Sequence, residues 1–166
     1  MRFSKLQISA AVIGLTIASQ AHAQMGGGMA PESTPVQADA TVPYQNGVTA
    51  LRAGDFPTAI KELRKAYDAN SIDGNIPYAL GMAYSMSGQK PEAKKAFQGA
   101  VRSQNAPIPA FLQLGLVAIE LGDKDLATKQ FAALQKKLAK CDSKCGDEGR
   151  AEIQSAMDEL GAKLNP

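Results

Sequence analysis

The chain has 166 residues, and its 18 lysines and arginines face 16 aspartates and glutamates for a formal net charge of +2. This near balance excludes the strongly basic surface on which non-specific nucleic-acid binding depends. A chain of this length is expected to form one domain. It contains a single histidine, so the commonest general base and the commonest transition-metal ligand are scarce.

Residues 1–23 have the pattern of a secretory signal peptide. Arg2 and Lys5 precede an apolar run, and Ala21 and Ala23 stand at the two positions that a signal peptidase reads. The run of about 14 residues is short for a membrane span of about 20. We therefore expect cleavage after Ala23, a periplasmic protein and no membrane span in the mature chain. Without the leader, 16 basic residues would face 16 acidic ones and the only histidine would be lost.

Residues 24–41 are expected to form a flexible linker. They lack an apolar period and are dense in glycine, proline, serine and threonine. From residue 42 onward the composition shifts to alanine, leucine and lysine. The folded domain is therefore predicted to begin near this point and to occupy residues 42–141 as repeats.

A period of 34 residues organises this domain. Segments at about 40–73, 74–107 and 108–141 align without gaps. In both halves of each segment apolar residues recur at helical spacing, so each copy predicts a helical hairpin. Five columns agree across the copies: Gly47, Gly81 and Gly115; Gly54, Gly88 and Gly122; Ala59, Ala93 and Ala127; Leu63, Phe97 and Phe131; Ala66, Ala100 and Leu134.

The glycines and prolines of the repeat are predicted to mark helix ends and close contacts. The first glycine column lies in mid-helix, where the alanine column of the second helix is expected to meet it. The second glycine column is expected to end the first helix in a left-handed conformation. Asp55 and Asp123 are placed to cap the helices that follow. Prolines stand where helices would begin, at Pro43, Pro57, Pro77, Pro91 and Pro109.

The middle copy carries a recognisable pattern of nine residues: Tyr78, Leu80, Gly81, Tyr84, Gly88, Glu92, Ala93, Phe97 and Ala100. This pattern resembles a tetratricopeptide repeat. It extends over about residues 40–141, and it departs from the family pattern in lacking tryptophan and in Pro43, Pro77 and Phe111 at the column where a large aromatic is usual. The resemblance implies an all-α superhelix, a solenoid of three hairpins, whose first helices line a concave groove that binds peptides.

The resemblance also names the residues that would face this groove. We call them the inner row, and they are Tyr44, Val48, Leu51, Tyr78, Met82, Ser85, Leu112, Leu116 and Ile119, flanked by Arg52, Met86 and Glu120. Because Arg52 and Glu120 are opposite in sign, we expect the ligand to be read mainly by apolar side chains. The linker, the last helix or a second copy of the chain are alternative occupants, so a homo-oligomer stays open.

Residues 147–164 are predicted to form a seventh helix that covers the last repeat. Terminal repeats of a solenoid need a cap. Asp147 is placed at the start of this helix to cap it. A single apolar stripe suits it to cover the repeat: Ile153, Met157, Leu160 and Leu164.

Cys141 and Cys145 lie between the last repeat and this helix. In an exported protein they are expected to form a structural disulfide. On a regular helix their Cα atoms would be about 6 Å apart, near the upper end for a bridge, so we expect the helix to break between them. A redox thiol pair and a metal site are the alternatives. The spacing is not the two-residue interval of thioredoxin-like proteins, and no further metal ligands accompany the pair.

The sequence offers no catalytic constellation. It pairs no nucleophile with a base and has no glycine-rich phosphate loop. We therefore predict a non-enzymatic protein without a cofactor, metal or catalytic residue, and no nucleic-acid partner. The predicted function is a protein–protein interaction scaffold or adaptor of the periplasm or cell envelope that binds a segment of a protein or peptide. The alternatives are a carrier of a lipid or small hydrophobic ligand in the same groove, and a thiol-redox protein.

Overall fold

The computed structural model describes residues 39–141 and 145–165, and every regular element in these ranges is an α-helix. The helices are α1 (Thr41–Arg52), α2 (Phe56–Ala69), α3 (Asn75–Met86), α4 (Lys90–Arg102), α5 (Ile108–Glu120), α6 (Lys124–Ala139) and α7 (Gly146–Leu164). None of these helices combines the length and apolar character that crossing a bilayer requires. The predicted signal peptide and nearly all of the predicted linker lie outside the described residues.

The helices pack as three antiparallel hairpins in a row. α1 packs on α2, α3 on α4 and α5 on α6, and neighbouring hairpins meet through α2 with α3 and α4 with α5. α7 packs against both α5 and α6. The prediction of an all-α solenoid of three hairpins with a C-terminal capping helix is therefore confirmed.

The ends of the helices follow the predicted signals. Gly54, Gly88 and Gly122 have φ of 77°, 80° and 76°, the left-handed region that favours glycine. Asp55 accepts a hydrogen bond from the N–H of Thr58 at 3.1 Å. Asp123 does the same for the N–H of Leu126 at 3.2 Å. These side chains replace the helical acceptors that the first N–H groups lack.

The start of α7 differs from the prediction. Asp147 was expected to cap this helix, but α7 begins one residue earlier and Cys145 occupies the capping position without a side-chain hydrogen bond. Asp147 and Glu148 lie inside the first turn. There their charges favour the positive end of the helix dipole without serving as the cap.

The mid-helix glycines accept large side chains, not the alanines that we expected to meet them. A Cβ atom on Gly47 would lie 2.5 Å from Cγ of Leu63, and one on Gly81 would lie 2.5 Å from ring atoms of Phe97. Leu63 and Phe97 have no exposed surface. The missing side chain therefore leaves a space that the partner helix fills with a large, fully buried apolar residue.

The third hairpin breaks this pattern because α7 enters it. A Cβ atom on Gly115 would lie 2.7 Å from Leu160 of α7. Neither the expected Ala127 nor Phe131, which corresponds to Leu63 and Phe97, makes this contact. Phe131 instead packs beside Gly161, also on α7, at 3.3 Å from the position of a Cβ there. Leu160 is fully buried. α7 is thus part of the core of the third hairpin as well as its end cover.

The tight contact at Gly81 predicts that adding one methyl group there strongly lowers the stability of the fold. We expect Gly81→Ala to lower the free energy of unfolding by about 1–3 kcal/mol, because the added Cβ overpacks against a buried ring. Gly99→Ala is the matched control in α4. A Cβ there would meet Pro77 at an ordinary 3.5 Å, so the higher helix propensity of alanine should raise stability by up to about 1 kcal/mol. Urea unfolding measures both, and equal effects would contradict the packing described.

Candidate functional site

The inner row is half-buried along most of its length. The side chains that point along it from α1, α3 and α5 are partly covered by their own neighbours, whereas Arg52, Met86 and Glu120 are exposed. Met86 is the most accessible apolar member, at 54%. Tyr44, Val48 and Leu51 pack against the core cluster that α2 and α3 share. The role of this row as a partner-binding surface stays a prediction.

α7 covers the part of the row that belongs to the third copy. Leu112, Leu116 and Ile119 are partly buried against one apolar cluster. The same cluster contains Ile153 and Leu160 of α7. The row that remains outside α7 therefore lies on α1 and α3.

Tyr78 marks the border between the open and covered parts of the row. Its ring packs against Phe97 with 6.0 Å between centroids. Burial raises the pKa of the Tyr78 hydroxyl, and the charge of Glu152 on α7 raises that pKa further. Tyr78 is thus a neutral hydrogen-bonding group at neutral pH, and the N-terminal half of α7 lies close enough for its charge to act on it.

Lys90 joins two residues of the row, and the sequence reasoning missed it. Its Nζ lies 2.8 Å from Oε2 of Glu120 and 3.3 Å from Oγ of Ser85. One turn later on α4, Nζ of Lys94 lies 3.3 Å from Oδ2 of Asp123. These lysines stand in the repeat columns of Phe56 and Ile60, so a comparison of charges between copies could have singled them out. The polar end of the row is thereby neutralised.

A second surface, also missed from the sequence, is a cleft between α2 and α4. Two adjoining cavities of about 610 and 470 Å³ share Tyr67, Gly99 and Arg102. No residue of the inner row lines either cavity. We call this surface the α2–α4 cleft. Its sides and floor are Arg64, Tyr67, Asp68, Pro77, Leu80, Tyr84, Glu92, Lys95, Ala96, Gly99 and Arg102, and its wider end adds residues 70–73 and 103–105.

Hydrogen bonds hold the wider end of the cleft in place. A carboxylate oxygen of Asp73 accepts from the N–H of Asn75 at 3.0 Å and from the side-chain amide of Asn105 at 3.0 Å. The amide oxygen of Asn105 accepts from the N–H of Gly74 at 2.9 Å. The turn after α2 is thus fixed to the turn after α4. The bond from the N–H of Asn75 is the main reason why the pKa of Asp73 is lowered from its ordinary value of 3.8.

The cysteines stand in the connection between α6 and α7. Their sulfur atoms are at disulfide-bonding distance and their Cα atoms are 5.2 Å apart. α6 ends at Ala139, before Cys141, and α7 begins at Gly146, after Cys145. The expected break between the cysteines lies in residues 142–144, outside the described residues. Arg150 of α7 donates a hydrogen bond to the carbonyl oxygen of Cys141. Within residues 39–141 and 145–165 no group of three or more potential metal-ligating side chains comes together.

Comparison with known proteins bears on the fold. No family model matches the chain, and no curated protein matches it. Among solved structures the crystal structure of MamA is similar, with a TM-score of 0.53 and 23% identity, covering 75% of this chain and 78% of the MamA chain. At this identity the likeness concerns the fold alone, which is tetratricopeptide-like.

The lowered pKa of Asp73 predicts a stability contribution that depends on pH. A lowered folded-state pKa stabilises the fold above the unfolded-state value of about 3.9 and ceases to do so as pH falls through the folded-state value. We expect Asp73→Asn to be less stable than the natural protein at pH 6, and this difference to shrink by pH 2.5. Urea unfolding at both pH values measures it. Glu159→Gln, which removes an equal charge from an exposed position outside the first turn of α7, is the control, and a parallel change in both variants would contradict the expectation.

The cysteine pair predicts a modest stabilisation. Closing so short a loop should contribute about 2 kcal/mol in the chain-entropy model. We expect Cys141→Ser with Cys145→Ser to lower the melting temperature while the α-helical circular dichroism stays unchanged. Reduction of the natural protein by dithiothreitol should give the same shift and leave the double variant unaffected. A double variant as stable as the oxidised protein would show that the pair contributes nothing to folding.

Proposed function

We propose that this chain is a non-enzymatic interaction scaffold of the periplasm or cell envelope. Its ligand is a segment of another protein, held by the open part of the inner row. The predicted signal peptide carries the proposal of export. The tetratricopeptide-like fold is consistent with a scaffold, because a stack of hairpins presents a continuous surface that many side chains share.

The exposure of Met86 is the observation that carries the proposal. A methionine more than half exposed at the end of α3, on the same face as the half-buried Met82 and Tyr78, offers apolar area to a partner. Methionine adapts to varied ligand shapes, and tyrosine combines a large apolar ring with a hydrogen-bonding group. A partner segment would therefore bury Met86 first.

The charges beside the row fit an apolar ligand better than an acidic or basic one. Glu120 is paired with Lys90 at 2.8 Å, so it offers little net charge to a ligand. Arg52, at the other end of the open part, is a single exposed cation. A scaffold that used the row would thus select by apolar side chains, with Arg52 setting the orientation of the bound segment.

The proposal is tested by photo-crosslinking in intact cells. A photoreactive amino acid is placed at position 86 and, as a control, at position 42, where Val42 is exposed to 58% but lies outside the row. We expect position 86, and not position 42, to crosslink to another protein, which mass spectrometry of the adduct identifies. Tyr44→Asp in the same chain should reduce the adduct at position 86 at least about fivefold, because the buried apolar contact is lost.

Other outcomes would overturn the proposal in favour of its alternatives. Adducts to lipid alone would indicate a carrier of a hydrophobic ligand. Adducts to a second copy of the chain would indicate that the row is a homo-oligomer interface. If partner capture required the cysteines and the purified protein exchanged disulfides with a model substrate, a thiol-redox role would replace the scaffold.

A further inference from the structure

The α2–α4 cleft is open because two residues of α4 that line it, Ala96 and Gly99, are small. In the repeat alignment Ala96 corresponds to Gln130 of the next hairpin, and Glu92 corresponds to Leu126. Gln130 is only 5% exposed, and its side-chain amide donates to the carbonyl oxygen of Leu126 at 3.3 Å. Leu126 packs against the neighbouring apolar cluster. The equivalent space between α4 and α6 is therefore filled by side chains, whereas Ala96 leaves it empty between α2 and α4.

Gly99 deepens the same cleft without being required by the packing of the helices. A Cβ atom there would meet Pro77 at 3.5 Å and the hydroxyl of Tyr67 at 3.7 Å, which are ordinary contacts. This distinguishes Gly99 from Gly81, where a Cβ atom would collide with a buried ring. Glycine is unfavourable in a helix interior by roughly 1 kcal/mol relative to alanine. Gly99 therefore lowers stability without allowing a closer helix contact. What it provides is open space in the α2–α4 cleft.

Unpaired cations surround this space. Arg64, Lys95 and Arg102 have no carboxylate within 4 Å in the parts of the chain that the structure describes, where the ion pairs lie elsewhere. Asp68, Asp73 and Glu92 are the acidic residues of the same lining, so its three cations and three carboxylates balance in number. Arg102 stands where the two cavities join, beside Tyr67 and Gly99. An apolar floor next to a guanidinium without an ion-pair partner among the described residues matches an apolar side chain that is followed by a carboxylate.

We propose that the α2–α4 cleft binds a peptide segment of another protein that carries an apolar side chain next to an acidic residue. The apolar side chain lies over Gly99 between Tyr67 and Pro77, and the carboxylate pairs with Arg102. A nucleic acid fits the lining less well, because the three carboxylates balance the three cations and leave no net positive charge for a chain of phosphates. This site lies outside the inner row, so it does not depend on the function proposed for that row.

The test begins with a peptide library. Random twelve-residue peptides displayed on phage are selected against the full chain, and the enriched peptides should share an apolar residue adjacent to aspartate or glutamate. A synthetic enriched peptide with a fluorescent label is then titrated by anisotropy. We expect Arg102→Gln to weaken its binding about tenfold or more, as the loss of a charge-assisted pair does. Lys136→Gln removes the cation at the equivalent position of the next hairpin and should change the affinity less than twofold.

Filling the cleft provides an independent variant. Ala96→Gln places there the side chain that the next hairpin already uses, and Gly99→Ala removes part of the space while favouring the helix. Ala96→Gln should keep the melting temperature and Gly99→Ala should keep or raise it, whereas both should lose at least about tenfold in peptide affinity. Met86→Asp, on the inner row, should leave the affinity unchanged, which separates this site from the function proposed above.

A charge-neutral peptide allows a double-mutant cycle between Arg102 and the acidic residue of the peptide. The same peptide with asparagine for its acidic residue should bind the natural protein about tenfold more weakly and bind Arg102→Gln as the acidic peptide does, because both changes remove one interaction. Enriched peptides without an acidic residue, or independent effects of the two changes, would overturn the assignment of Arg102. Undiminished binding to Ala96→Gln would overturn the cleft as the site.

Two further results would also overturn the proposal by naming another occupant. If the protein sediments as a dimer that Ala96→Gln converts to a monomer, and no peptide is enriched, the cleft holds a second copy of the chain. If a synthetic peptide of residues 24–38 of this chain displaces the enriched peptide with higher affinity, the cleft serves a segment of the chain itself.

Discussion

The structure depends on the close approach of helices at glycines that carry no side chain. At Gly47 and Gly81 the second helix of the same hairpin inserts a leucine or a phenylalanine into the space. Each insertion fixes both the distance and the register of its hairpin, because a shift by one residue would bring a Cβ atom into the same space. At Gly115 the inserted residue comes from α7. The same contact type that builds each hairpin thus also attaches the last helix to the stack.

Most of the fold could be predicted because its signals are local. A glycine that ends a helix, an aspartate three residues before the N–H that it caps, and a proline in a first turn act within a few residues, and the structure has all of them where the repeat places them. The partner of Gly115 could not be predicted in this way. We expected Ala127 at that contact, the first two hairpins have the equivalent of Phe131 there, and the folded chain places Leu160 of α7 in it.

The surfaces were harder to predict than the fold. The residues of the inner row follow from a family resemblance. Their burial does not, because α7 covers the third copy only in the folded chain. The use of the open part on α1 and α3 by a partner stays a proposal. The α2–α4 cleft is defined by missing atoms at Ala96 and Gly99, and small residues in a helix usually indicate close packing. Only the distances around Gly99 distinguish an unused space from a tight contact.

The two contacts between neighbouring hairpins, α2 with α3 and α4 with α5, differ in chemistry although the backbone repeats. At the first contact Ile60 packs on an apolar cluster with Leu80, and at the second contact the equivalent Lys94 forms an ion pair with Asp123. Exposed ion pairs weaken as dissolved ions screen them, whereas apolar contacts do not. Concentrated salt should therefore weaken the polar part of the second contact only, where Phe97 still packs with Leu114 and Val117, and should leave the first contact unchanged.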